Sequence, residues 1–284
     1  MNDRRVLKSN GRVADVSLRG QTVAERYVTP DLYHVSAPVA PILDRPEGGR
    51  DRELAFGEGF HVLEFRKGWA FGHAQRDGYV GYIAQDLLSD RMEPPTHRVI
   101  SPSYRFDRPA LKCAAAPGYL PIGARVAVAG VHRDHCDWGE ISLPEGTGFV
   151  PMPTLAALSE TATDPVAEAE RYLGVPYLWG GNSGFGTDCS GLVQAAFLAC
   201  GYDCPGDSDQ QAAGLGTALD RDAPARRNDL IFWKGHVALV AGDGRILHAN
   251  AHHMAVAYED MEAAIARIAA SDGPVTGRRR VLRR

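Results

Sequence analysis

Thr187-Asp188-Cys189-Ser190-Gly191-Leu192-Val193 places a cysteine where a glycine-rich loop turns into an amphipathic helix. Upstream, Pro176-Tyr177-Leu178-Trp179-Gly180-Gly181 is turn-rich and cannot continue a helix. Downstream, Leu192, Val193, Ala196, Phe197 and Cys200 recur at helical spacing, which predicts one buried helix face. A thiol in the first helical turn feels the unpaired backbone N–H groups and the positive end of the helix dipole. Both favour thiolate over thiol, so Cys189 reads as a nucleophile.

A thiolate that attacks a carbonyl needs a proton carrier. Two short apolar stretches, His236 to Val240 and Arg245 to Asn250, flank Gly242-Asp243-Gly244 and predict a hairpin with a histidine on each arm. The parity of its turn decides the chemistry. A three-residue loop, Gly242 to Gly244, pairs Ala238 with His248 and sets His236 and His248 one diagonal apart on one face. A two-residue loop throws them to opposite faces. A joint role for the two histidines therefore requires an odd loop. On that condition Cys189, His236 and His248 form a nucleophile, a base and a group that orients the base.

The blocks Tyr177-Leu-Trp-Gly-Gly, Asp188-Cys-Ser-Gly, Gly235-His-Val and His248-Ala, in this order, resemble the NlpC-type cysteine peptidases of peptidoglycan, a compact branch of the papain-like fold. The resemblance covers roughly residues 164 to 284. It implies Cys189 as nucleophile, His236 as general base and His248 as the polar residue holding the imidazole. It places Tyr177, or backbone N–H groups near Cys189, beside the developing oxyanion. Asp188 and Ser190 match positions that contact the amine and backbone of the substrate, Ser208 matches another pocket position, and Trp179 belongs to the same substrate-binding set. For Asp188 a helix cap is the alternative, and the two roles are compatible. One departure is Asn228, where the family has glycine; Asn tolerates the same left-handed geometry.

Plainer readings stand beside these. A cysteine away from such a motif is a small buried hydrophobe, the reading for Cys113, Cys136, Cys200 and Cys204. Cys200 and Cys204 lack a second pair at matching spacing, so they are not expected to hold zinc; a Cys-His-His set could itself bind zinc, and the expectation is no metal and no cofactor. His252-His253 lies beyond the strand and reads as a solvated or packing feature.

The chain of 284 residues is long for one small peptidase, and its net charge of −4 makes no electrostatic case for nucleic acid. The basic run from Gly277 to Arg284 is interrupted by Val281 and Leu282 and reads as a final strand with solvated arginines. No apolar run approaches a membrane span. The charged N-terminal stretch lacks an apolar core segment, so no secretory signal is read there. Five cysteines with no paired framework fit a reducing compartment, and a cytoplasmic location is expected.

The first 150 residues carry a weak duplication. Ala55-Phe-Gly57-Glu58, then His61 to Phe65, Gly68-Trp69-Ala70 and Gly81-Tyr82-Ile83-Ala84 are echoed about seventy residues on. The echo runs Leu120-Pro-Ile-Gly123, Arg125 to Val128, Asp137-Trp138-Gly139 and Gly148-Phe149-Val150-Pro151. Short alternating strands with glycine turns predict small β-barrels, which resemble the bacterial SH3-like modules that precede NlpC-type domains. The expected class is α+β: an N-terminal extension at 1–35, barrels at 36–93 and 96–156, and a papain-like peptidase domain at 164–284. Asp164 before Pro165 predicts the start of a helix that buries Val166, Ala169 and Leu173. By the resemblance, Tyr79 of the first barrel closes the far end of the substrate cleft; packing on the barrel is the alternative.

The expected activity is hydrolysis of the γ-D-glutamyl-L-diamino acid bond of peptidoglycan-derived peptides, releasing L-Ala-D-Glu from free-amine fragments in recycling. A thiol acyltransferase or amidase, and a non-catalytic wall-binding protein, are the alternatives. Lysine or diaminopimelate preference and oligomeric state stay open.

Overall fold

The computed structural model describes residues 3–113, 118–220 and 222–281. The chain divides into two compact units, Met1–Glu160 and Thr161–Arg284. The class is α+β, with almost all helix in the second unit.

Among the described residues, the first unit is built of β-strands with short 3₁₀ turns. Seven strands form its main sheet in the order Arg50–Ala55, Val39–Leu43, Val80–Ala84, Trp69–Ala74, Gly59–Arg66, Asp31–Val35, Leu88–Ser89. Alternation along these strands sends Ile42, Leu54, Phe60, Ala70 and Ile83 into one core. Asp31–Val35 pairs with both Gly59–Arg66 and Leu88–Ser89, so part of the stretch expected as an N-terminal extension is a strand of this sheet. Ahead of it, Val13–Asp15 and Arg26–Val28 pair in parallel, and Val13 packs with Leu63, Phe71 and Val80. The only helical turn among the described residues of that extension is the 3₁₀ segment Val16–Leu18.

A second β module follows in the same unit. Its meander Val128–Asp134, Cys136–Leu143, Gly146–Pro151 ends in a 3₁₀ turn, Met152–Thr154, and a short strand, Leu155–Ala157. The first module runs through the same series: the meander 59–84, the 3₁₀ turn Gln85–Leu87 and the strand Leu88–Ser89. The modules meet at Ala55-Phe56-Gly57-Glu58. Phe56 is buried in the second core with Val99, Leu120 and Val150, and its carbonyl accepts from Arg125 N at 2.7 Å. A Cβ on Gly57 would lie 1.9 Å from the Arg125 carbonyl oxygen, so only glycine permits this approach.

The second unit sets helices against a six-stranded sheet ordered Thr217–Ala218, Gly277–Arg280, Leu230–Trp233, His236–Gly242, Arg245–Asn250, Ala255–Asp260. Helix α1 (Pro165–Glu170) begins at Asp164, whose side chain accepts from Val166 N. Val166 N also donates to Asn228 Oδ1 at 2.9 Å. Asn228 stands at φ 74°, the left-handed geometry expected of it, and supplies a capping amide that glycine lacks. Leu173 corrects the expectation: α1 stops at Glu170, a turn closes on Gly174 at φ 80°, and Tyr172 is buried while Leu173 is exposed.

Helix α2 (Cys189–Ala199) buries Leu192, Val193, Ala196 and Phe197, and Cys200 just beyond it, as the spacing predicts. Each large side chain on that face contributes about 1.5–3 kcal/mol. Helices α3 (Ser208–Gly214) and α4 (Met261–Ser271) complete the unit.

The basic C-terminal run forms the strand expected, but its arginines depart from expectation. Gly277–Arg280 is an inner strand of the sheet, and its arginines are not left to solvent. Arg280 forms a two-pronged pair with buried Asp229 at 2.7 Å on both arms, and Arg279 donates to the carbonyls of Ala212, Leu215 and Gly216. Residues 282–284 of that run lie outside the described residues. No helix among the described residues is long and apolar enough to cross a membrane.

Candidate active site

Cys189 opens α2, and Asp188 caps it. One Asp188 oxygen accepts from Gly191 N at 2.7 Å and from Ser190 Oγ at 3.1 Å; the other accepts from Gly180 N at 3.0 Å. The carboxylate thereby ties the glycine turn Gly180-Gly181 to the first turn of the helix and fixes the cysteine between them. Cys189 is 5% exposed, and its Sγ lies 4.0 Å from the carbonyl oxygen of Gly235, the residue before His236.

His236 and His248 share a face, by a route other than the one expected. Asp243 and Gly244, at φ 51° and 71°, form a two-residue turn that pairs Gly242 with Arg245. Taken alone, that turn would separate the two rings. A bulge between Val240 and Gly242 shifts the register by one, so that Val240 pairs with Ile246 and Leu239 with Leu247. Extending this register sets Ala238 opposite His248. The odd residue sits in the strand rather than in the loop.

The rings are 5.1 Å apart between centroids, and His236 Nε2 is 2.9 Å from His248 Nδ1. His248, 1% exposed, continues through Nε2 to Glu259 Oε2 at 3.1 Å. Glu259 is gripped in turn by Arg267 of α4, Nε to Oε1 at 2.9 Å and Nη2 to Oε2 at 2.7 Å. Glu259 and Arg267 were not singled out in the sequence. No local sequence signal marks either; Glu259 comes to His248 because it lies two residues beyond Ala257, the strand partner of that histidine.

Burial pushes the pKa of both rings well below the ordinary histidine value, helped for His236 by the Arg267 charge and for His248 by His236. Hydrogen bonding to Arg267 holds Glu259 down at about 2 against desolvation. At neutral pH both imidazoles are neutral, and Glu259 and Arg267 form an ion pair. The arrangement can move a proton off Cys189 without leaving an unpaired charge behind His248.

The other expected site residues are placed as follows. Tyr177, half-buried, bridges Thr187 in parallel, and its N donates to Met254 O at 2.9 Å, which brings it alongside the segment entering α2. Trp179, 70% exposed, lies in the loop before Gly180. Ser190 is buried against Asp188. Ser208 begins α3, and Gln211 of that helix donates to Ser190 O at 3.0 Å. Tyr79 belongs to the first unit, where it is 4% exposed and packed in the core of the first β module.

Of the remaining cysteines, Cys200 and Cys204 are buried, whereas Cys113 and Cys136 are partly exposed. Cys113 Sγ donates to Asp107 at 2.6 Å, so it is not the small buried hydrophobe expected. His252 and His253 stand in an exposed turn, His253 against Asn250. Among the described residues, no group of three or more His, Cys, Asp or Glu side chains is placed to hold a metal ion.

Comparison with known proteins gives two family matches: the NlpC/P60 family over residues 174–268 and the bacterial dipeptidyl-peptidase SH3 domain over residues 42–88. The chain is similar to the gamma-D-glutamyl-L-lysine dipeptidyl-peptidase of Bacillus subtilis (strain 168), with 40% identity over 122 residues, 39% of this chain and 40% of that protein. The protein of the same name from Bacillus cereus (strain ATCC 10987) is 38% identical over 96 residues, 31% of this chain and 28% of its own length. The matched stretches thus span two fifths or less of these relatives. Among solved structures, an NlpC/P60 family protein from Bacillus cereus ATCC 10987 shares the fold with a TM-score of 0.75 at 19% identity, over 89% of this chain and all of that one.

Proposed function

With an NlpC/P60 domain at residues 174–268 and a bacterial dipeptidyl-peptidase SH3 domain at residues 42–88 as the premise, we propose that this chain is a cysteine peptidase. It cleaves the amide between γ-linked D-glutamate and the L-diamino acid of peptidoglycan peptides. The observation that carries the thiol chemistry is Cys189 at the start of α2, its Sγ 4.0 Å from the carbonyl of Gly235, next to which His236 begins the hydrogen-bonded pair with His248. The bond cleaved rests on the names of the Bacillus relatives.

His236 takes the Cys189 proton, and Sγ adds to the γ-glutamyl carbonyl carbon. Backbone N–H groups of the first turn of α2, or the Tyr177 hydroxyl, stabilise the oxyanion. Collapse breaks the C–N bond, and His236 returns the proton to the departing amine of the diamino acid. Water, deprotonated by the same imidazole, then opens the thioester and regenerates the thiol. In this reading Asp188 serves as helix cap and as one wall of the site, with Ser190, Ser208 and Trp179 contributing to the substrate pocket. The substrate is a free-amine fragment, L-Ala-γ-D-Glu followed by lysine or diaminopimelate, of the kind met in recycling. All five cysteines are unpaired, which fits a reducing compartment.

The test follows L-Ala-γ-D-Glu-L-Lys, its diaminopimelate analogue and their N-acetyl derivatives by mass. Release of L-Ala-D-Glu, lost in Cys189→Ala and slowed at least tenfold by N-acetylation, is the expected result. An intact substrate, or an acyl group passed to an added amine instead of water, rejects the hydrolase. Equal rates with and without the acetyl group reject the free-amine requirement alone.

A further inference from the structure

The relay behind the cysteine does not stop at its second histidine. Glu259 lies on the strand Ala255–Asp260, whose Ala257 pairs with His248, and so reaches the far nitrogen of that ring diagonally across one sheet face. Arg267, eight residues on in α4, binds both carboxylate oxygens and holds them in place. Of the charged groups near the relay, Asp272 and Asp188 act on it electrostatically. Glu259 and Arg267 are joined to it by hydrogen bonds that run through His248.

An ionised carboxylate only accepts hydrogen bonds. Bonded to Glu259, His248 must therefore carry its proton on Nε2. A neutral imidazole has a single N–H, so His248 Nδ1 is a lone pair. The 2.9 Å contact between that nitrogen and His236 Nε2 then requires the hydrogen to sit on His236 Nε2. The unprotonated nitrogen of His236 is consequently Nδ1, the one left to receive a proton from the thiol. Without an acceptor-only group behind it, His248 is free to adopt the opposite tautomer. It would then donate from Nδ1, push the His236 hydrogen onto Nδ1 and leave no base for Cys189.

We propose that Glu259, clamped by Arg267, is a positioning residue that sets the tautomers of both histidines and thereby makes His236 Nδ1 the base. The inference rests on the proposed thiol chemistry but not on the identity of the bond cleaved. No proton is gained or lost by Glu259 during turnover: the thiol proton moves to His236 Nδ1 and on to the leaving amine, while the two hydrogen bonds behind it stay as they are.

Glu259→Gln tests this, because its amide has an NH2 to offer His248 while Arg267 competes for its oxygen. With ¹⁵N-labelled histidine, wild-type protein at neutral pH is expected to show both His236 and His248 in the Nε2–H form. The variant is expected to convert a large share of both rings to Nδ1–H. Iodoacetamide alkylation of Cys189 should slow by roughly tenfold or more, as should kcat on the tripeptide, with KM within about twofold, since a wrong tautomer removes the base and leaves binding alone. An Nδ1–H form of His248 in the wild type overturns the proposal without any variant. So does a folded Glu259→Gln protein, by circular dichroism, whose tautomers and alkylation rate are unchanged. The tautomer and alkylation readouts need no peptide substrate, so a failed assignment of the scissile bond would leave them standing.

Discussion

At the scale of single residues, His236 and His248 are not interchangeable. His236 adjoins Gly235, whose carbonyl touches the Cys189 sulfur, whereas His248 is buried behind it and meets only His236 and Glu259 through its ring nitrogens. His236→Ala removes the proton acceptor, and kcat is expected to fall by roughly 10²–10⁴. His248→Asn leaves an amide oxygen able to accept from His236 Nε2, so a measurable part of the rate should survive. Steady-state kinetics on the two variants separates the roles. If His248→Asn is as inactive as His236→Ala, His248 does more than orient. These two residues and Cys189 were legible because each lies in a short block with its own turn or cap. Glu259 and Arg267 were not, because nothing local to Tyr258-Glu259-Asp260 distinguishes a carboxylate aimed at a buried ring from one on a solvated strand.

At the scale of elements, the hairpin between Val237 and Asn250 is held in its working register by a bulge. Gly242, Asp243 and Gly244 stand at φ 94°, 51° and 71°, three left-handed residues in succession. A Cβ on Gly242 would touch nothing within 4 Å, so its substitution costs conformational energy and no packing. Gly242→Ala is expected to lose about 1–2 kcal/mol. Gly214, which also has open space around its Cβ but ends α3 at an ordinary φ, should gain about 0.4–1 kcal/mol on changing to Ala. Urea titrations of both variants check the pair; equal midpoints would show that the left-handed geometry is not what holds the bulge. Counting loop residues reached the right pairing of Ala238 with His248 for the wrong reason. Parity is a property of the whole hairpin, and a bulge can supply the odd residue from within a strand.

At the scale of the molecule, imidazoles whose pKa is pushed down by desolvation tie stability to pH. In the first unit, burial and the nearby Lys8 charge push His73 down to about 4; in the second, His236 and His248 are depressed as well. A ring that stays neutral in the folded protein but protonates near 6.5 when unfolded contributes stability that is fully present above pH 6.5. That stability is lost as pH falls toward the folded-state value. Glu259, held at about 2 instead of 4.5, has its own window below pH 4.5, so the Glu259–Arg267 pair persists while the histidines are already unfavourable. Urea midpoints should therefore drop steadily from pH 7 to pH 5, by on the order of 1–2 kcal/mol for each buried ring. Replacing His73 by Gln should flatten part of the slope. A midpoint that holds or rises toward pH 5 would contradict the burial of these groups as neutral rings.

The sequence by itself determined what is written in contiguous residues. The capped start of α2 at Asp188-Cys189, its buried face, the left-handed Asn228 and the succession of β modules before a mixed α+β unit all follow from local conformational preference and hydrophobic period. Tertiary structure alone decided what depends on which strands become neighbours. It ended α1 before Leu173, because the chain must turn at Gly174 to meet the strand at Val256. It buried the C-terminal strand between two others, where arginines that look solvated in sequence are spent on carbonyls and Asp229. It also placed Glu259 behind His248 through a strand pairing that spans several residues and a turn. Local patterns report the conformation of a segment. Which side chain comes to face a histidine is settled by register, and register is a relation between segments that no single one of them contains.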